Sequence, residues 1–336
     1  MKFGALTILT LISICLLSCQ TIESMTSSDK EPTKLVVADS VMVGNIVVYN
    51  GFKHQINFSA QNFIDSSLIS DNLYFRHQIL WDSCYGVIFG PDNSRKFQSI
   101  QGMISWNRSI FKDEGSRIDS ISEILISYNL DSLYDNHVLR FNQLGYQTPS
   151  ARITFAFTPL TGVGFGGCSN DQFIYELNNP EYDIIYALEK GFPHEIYHML
   201  NEDRLEIQDE FTALDLSINE GLACYMTEKD FFKGKISSQE AVEDMNLDDW
   251  EYYLRNEKAI FKEMKPYFDD VTGDNPLLQK SQSVKFKDAP RSIYYWLGYR
   301  IIESFVAENP GVKIDTLLSI PYNDIYKYSK YEEKFQ

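Results

Sequence analysis

Cysteine is scarce in this chain, with five in 336 residues, and two of these, Cys15 and Cys19, fall near the start. Cys84, Cys168 and Cys224 remain. Three thiols allow at most one disulfide and leave one over, so a disulfide-stapled scaffold is excluded. No C-x-x-C pair exists to suggest a thiolate zinc site. Positive charge is also short: 30 Lys and Arg stand against 47 Asp and Glu, a formal net charge of −17. That balance opposes nucleic-acid binding, which wants basic surface. A long hydrophobic run is missing too. The one apolar stretch, Ala5 to Leu17, is too short for a good membrane-spanning helix. Disorder is excluded by 44% hydrophobic and 14% aromatic residues.

The short apolar run has another use. Lys2 precedes it, and Leu16-Leu17-Ser18-Cys19 follows, which resembles a bacterial lipobox. Residues 1–18 therefore read as a lipoprotein signal peptide, with Cys19 as the lipidated first residue of the mature chain. Residues 19–34 are polar and lack an apolar period, as a flexible tether would. The expected location is the cell envelope, with membrane attachment through the N-terminal lipid. Cys19 is not followed by Asp, which favours the outer membrane. The mature chain is long enough for one large domain or two medium ones.

Histidine is as rare as cysteine, yet two of the five stand in His194-Glu195-Ile196-Tyr197-His198. On a helix, residues four apart share a face, with Cβ atoms roughly 5–6 Å from each other. Two imidazoles so placed can converge on one metal ion. Glu195 then reaches a water on that ion without being a ligand. Zinc lowers the pKa of such a water to roughly 7, so a carboxylate can take its proton.

A third ligand is needed, with one position left open. Glu220 follows His198 after 21 intervening residues, enough for a loop and a returning helix. The segment 211–226 has the pattern for it: Phe211, Leu214, Ile218 and Leu222 make an apolar stripe. Ala213, Ser217, Glu220 and Cys224 make a second stripe of small residues in which Glu220 is the only charge. Small residues let helices approach closely, as a shared metal site requires. Asp209, Glu210 and Asp215 are weaker rivals for the ligand role.

His-Glu-x-x-His followed by Asn219-Glu220-Gly221-Leu222-Ala223 resembles the gluzincin group of zinc metallopeptidases, which includes thermolysin. More narrowly, it resembles little-characterised zinc-dependent peptidase families among Bacteroidetes lipoproteins. The resemblance covers about residues 150–310 and is sharp only at the two motifs. It implies His194, His198 and Glu220 as ligands of one Zn2+ per chain, Glu195 as general base, and a peptide or protein substrate. One departure stands out. Thermolysin-like enzymes have an Asp four residues after the ligand Glu, orienting a histidine; here the position holds Cys224.

The expected fold class is α+β: a gluzincin-like metallopeptidase domain over residues 151–336, with a small sheet and zinc-binding helices, preceded by a mixed α/β region over 35–150. Val and Ile crowd residues 35–58 around Gly44-Asn45, which predicts strands. Ile118, Ile121, Leu125 and Tyr128 predict helix over about 117–140. His54, His77 and His137 are isolated and read as ordinary histidines. Ile153, Phe155 and Phe157 alternate with Arg152, Thr154 and Ala156, the pattern of a half-buried strand. Gly162 to Gly167 contains a formal G-x-G-x-x-G, but no helix opens after it, so dinucleotide binding is rejected. That loop is either a sheet edge offering backbone to an extended peptide or a plain hairpin loop.

Gly191 and Pro193 stand directly before His194. Either a new helix starts with Pro193 in its first turn, or one helix runs through with a kink; the first suits proline better. Acidic, aromatic residues 238–263 predict covering helices, and 270–290 a loop. The run from Ile293 to Ile302 is helical, and the same families have a Tyr three residues before a Gly, matching Tyr295. A phenol or guanidinium would stabilise the oxyanion of peptide hydrolysis. Tyr295 is the first choice for that role, then Tyr299 and Arg300. Two other functions fit the same residues: a non-catalytic binding or assembly lipoprotein on a peptidase scaffold, and a zinc hydrolase of a non-peptide amide in cell-wall material.

Overall fold

A computed structural model describes residues 37–56, 66–86, 95–159, 165–169, 172–180, 183–202 and 210–336. The expected signal peptide, Cys19 and the tether lie outside these residues, as do Asp209 and most of the glycine-rich loop. The architecture is α+β. Among the described residues, five strands form one mixed sheet in the order β1-β2-β3-β5-β4: β1 Ser40–Val43, β2 Ile46–Tyr49, β3 Ala151–Ala156, β4 Phe165–Ser169 and β5 Gln172–Glu176. Helices of eight residues or more are α1 Ile100–Ser127, α2 Leu130–Gln143, α3 Phe192–Glu202, α4 Ala213–Met226, α5 Leu247–Met264, α6 Ile293–Glu308 and α7 Tyr322–Ser329.

The valine-rich run forms strands as expected, and β1 and β2 pair as a hairpin across Gly44-Asn45. Gly44 takes φ +60°, which only glycine adopts freely at the first position of such a tight turn. From Phe52 to Ile56 the same stretch is helical instead. β2 then pairs in parallel with β3, and β3 in parallel with β5. Residues on both sides of position 150 thus share one sheet. α1 and α2 form the crossover between β2 and β3, as parallel strands require.

β3 is not half-buried. Every residue but Arg152 is buried, because parallel neighbours on both sides make it a central strand covered on both faces. Thr154, expected to face water, hydrogen-bonds instead to His77 Nδ1 at 3.0 Å. An aromatic seam runs from the sheet to α3. Tyr175 stacks on Phe155 (4.9 Å), Phe155 meets Tyr134 of α2 (5.4 Å), and Tyr134 stacks on Phe192 at the start of α3 (5.5 Å). Such pairs add to area burial by about 0.5–1.5 kcal/mol each, so α3 is tied to the sheet through α2.

Candidate metal centre

α3 begins through an irregular turn. Ile184–Tyr186 starts a helix capped by Asp183, whose carboxylate accepts from the Ile185 and Tyr186 N–H groups. The chain then widens into one π-helical turn, Ala187–Gly191, closed by Phe192 N–H donating to the Ala187 carbonyl. The backbone stays right-handed throughout, so one helix runs through and Pro193 does not open a new one. The wide turn lies just before Pro193, which has no N–H to give a regular helix. The Tyr175 hydroxyl sits against Gly191, where a Cβ would stand 2.3 Å away, and donates to the Ala187 carbonyl at 2.5 Å.

α4 starts two residues later than its apolar pattern suggested. Thr212 caps it, and Asp215 returns the bond in a capping box worth about 1 kcal/mol. That role removes Asp215 as a ligand candidate. Glu210 and Phe211 lie exposed outside the helix, Phe211 by 41%. The rest of α4 is buried nearly all round, as its composition demands.

The two helices bring His194, His198 and Glu220 together. Glu220 Oε2 lies 3.2 Å from His194 Nε2 and 3.1 Å from His198 Nε2, and the two Nε2 atoms are 3.0 Å apart. A tetrahedral zinc ion with bonds of roughly 2.0–2.1 Å needs ligand atoms roughly 3.3 Å apart. Two imidazole nitrogens and one carboxylate oxygen at this spacing match that demand in both number and chemistry, so the residues present fit such an ion. They form the one metal-competent group of this kind among the described residues.

The electrostatics agree with a mutually dependent trio. Burial disfavours charge on Glu220, but the two imidazoles outweigh it and hold the carboxyl well below its ordinary range. Burial likewise opposes a proton on His198, and Glu220 overcomes it, pushing that imidazole up to about 10. His194 goes the other way: burial and the neighbouring His198 lower it against the pull of Glu220. One carboxylate thus holds one proton between two imidazoles, a charge that a divalent ion would replace.

Each residue of the second motif has a task. Asn219 accepts from Asn201 Nδ2 of α3 (3.0 Å) and from the Tyr322 hydroxyl of α7 (2.8 Å), fastening the turn that carries Glu220. Gly221 meets Gly298 of α6 with no room for a side chain: a Cβ on Gly221 would stand 2.1 Å from the Gly298 carbonyl carbon. The small-residue stripe therefore splits. Ser217 and Gly221 admit α6, while Glu220 and Cys224 face α3. Cys224 Sγ stands 3.7 Å from His194 Nδ1, where the resembled enzymes keep a carboxylate-backed arrangement. Burial, then Glu220, Glu243 and Glu195, push its thiol pKa well up, so it stays protonated. Asn219, Asn201, Tyr322 and the contact of Cys224 were not legible in the sequence; each is a partnership across distant segments.

The close α4–α6 crossing also places Tyr295, one turn before Gly298. Its ring stacks on His194 at 6.1 Å and 21°. Glu195, His194, Cys224 and Tyr295 line one cleft with Glu176 and Glu243. The rivals of Tyr295 are engaged elsewhere. The Tyr299 hydroxyl donates to Glu228 (2.5 Å) and Ser238 (2.9 Å), and Arg300 pairs with Glu257 and Glu303. His54, His77 and His137 are buried and away from the triad. α5 covers α6 as expected: Tyr253 stacks on Trp296 at 5.0 Å and Trp250 meets Tyr299 edge-on at 5.9 Å.

Comparison with known proteins corrects the family expectation. Residues 168–333 are similar to the lipoprotein family described as "Gliding motility protein GldB", and not to a gluzincin or other zinc-peptidase family. The similar region is just under half of the chain and includes the whole triad with α3, α4 and α6. No curated protein and no solved structure matches the chain. The nearest description that this chain earns is therefore likeness, over the half that carries its metal-competent triad, to a gliding-motility lipoprotein family.

Proposed function

We propose that this chain is an envelope lipoprotein that binds or assembles with another protein, and that its folded body is organised around one divalent ion held by His194, His198 and Glu220. The observation that carries this reading is the coincidence of two things in the same residues: similarity to a gliding-motility lipoprotein family and a complete ligand triad. A membrane anchor at Cys19 would hold the body at the bilayer. None of the described helices is long and apolar enough to cross a membrane. Zinc is the ion best suited to two imidazoles and a carboxylate, and in this reading it ties α3 to α4 as a structural clasp.

A second reading is favoured by Glu195, a carboxylate that lines the same cleft as His194. Here the chain is a hydrolase of a peptide bond or of a cell-wall amide. A bound zinc ion would supply Lewis-acid activation. Glu195 would accept a proton at its carboxylate and pass it on, and the Tyr295 phenol would donate to a developing oxyanion.

One experiment separates the two. Purified residues 20–336 and the Glu195→Gln variant are incubated with a broad peptide library and with wall fragments. The assembly reading predicts that both proteins leave every fragment intact. Cleavage by the wild type that is lost in Glu195→Gln overturns it in favour of hydrolysis.

A further inference from the structure

We infer that Cys224 is a positioning residue for the metal centre: its sulfur receives the Nδ1–H of His194, which presents the Nε2 lone pair of that ring to the ion. The inference rests on the metal reading of the triad. Cys224 follows Glu220 by four residues on α4, so both project toward α3 from adjacent turns. Its Sγ lies 3.7 Å from Nδ1, within reach of a sulfur hydrogen bond, and the residue is 1% exposed. The two nitrogens of an imidazole point to opposite sides of the ring. A partner at Nδ1 therefore fixes the tautomer without touching the ion, as ligand histidines ordinarily require. The sulfur does not join the ligand set, which is His194, His198 and Glu220.

The two imidazoles are backed unequally. His194 has the sulfur, whereas His198 Nδ1 is buried without a hydrogen bond of normal geometry and has only the nearby Asn219 side chain acting on its ring. A neutral thiol is a weak acceptor. It orients the ring but adds little to its basicity, so the site is set for a modest hold on its ion. A buried cysteine that only filled space would leave metal binding indifferent to the loss of its acceptor.

The test measures zinc affinity by chelator competition, and the visible spectrum of the cobalt-loaded protein, for residues 20–336. Cys224→Ala and the slightly larger, apolar Cys224→Val both lose the acceptor; Cys224→Ser keeps one. We expect Ala and Val to weaken zinc about tenfold and to shift the cobalt bands, and Ser to stay within about threefold of wild type with its spectrum preserved. Val separates the lost acceptor from a cavity, because it fills the space. Ala or Val variants that bind zinc as tightly as wild type, with an unchanged cobalt spectrum, overturn the inference and leave the metal site standing. Wild type that binds no zinc at all overturns the metal reading and the inference together.

Discussion

Glu220 Oε2 stands between two imidazoles on one oxygen, and that single atom decides what the triad can do. The H-E-x-x-H spacing was legible because four residues is one helical turn, and Glu220 because it was the lone charge on a stripe of small residues. The neighbours that hold them were not legible. Cys224 looks like one more small residue until the fold places it on His194, and Asn219 becomes an anchor only when Asn201 and Tyr322 arrive from distant segments. The isolated histidines make a separate prediction. Burial pushes His137 down to about 4 and, with Arg76, Arg152 and His54 nearby, His77 down to about 3. Unfolded, each would protonate near 6.5. The unfolded chain therefore binds protons first as pH falls, so the contribution to stability is full above about 6.5 and is lost progressively toward 4 or 3. His137 stacks on Phe192 at 5.5 Å, a contact that phenylalanine can keep. His137→Phe should lose less urea resistance than wild type between pH 7 and pH 5. Identical slopes in the two proteins would show that this histidine is not held neutral.

At the scale of elements, the decisive contact is the crossing of α4 and α6. A Cβ on Gly298 would lie 1.7 Å from the Ser217 carbonyl oxygen, so the helices meet backbone to backbone. The small-residue stripe announced a close approach, and the approach serves two elements: Ser217 meets α6, while Glu220 and Cys224 face the histidine helix. A stripe shows that something comes near, not which element it is. Gly298→Ala should force the pair apart and cost about 1–3 kcal/mol of stability. It should also weaken zinc binding, because Glu220 and Tyr295 ride on the separated helices. Gly115→Ala, in open space on α1, should cost nothing. Urea unfolding and chelator competition on both variants check this; equal stability of Gly298→Ala and wild type would contradict it. The turn before His194 failed to read for a related reason. Proline statistics favour a fresh helix start, whereas the packing of Tyr175 on Gly191 stabilises a single widened turn. Tertiary contact overrode the local preference.

For the whole molecule, the sheet is what unites the chain. The strands β1 and β2 were visible as a run rich in Val and Ile, but the parallel pairing of β2 with β3, about a hundred residues on, leaves no local trace. Phe155 and its neighbours looked half-buried because alternation cannot tell a central strand from an edge when a threonine finds a buried partner. Two motifs were enough to point to a metal, and they also suggested a peptidase family that comparison does not support. The ligand set is a matter of local geometry; the work built on it is a matter of the surrounding cleft and partners. The claim on which all else depends is that the triad holds one divalent ion. Equilibrium dialysis of residues 20–336 against zinc tests it most directly, with His198→Ala and Glu220→Gln beside the wild type. The account predicts about one bound zinc per wild-type chain and its loss in both variants. Wild type that retains none, or variants that retain as much as wild type, would contradict it.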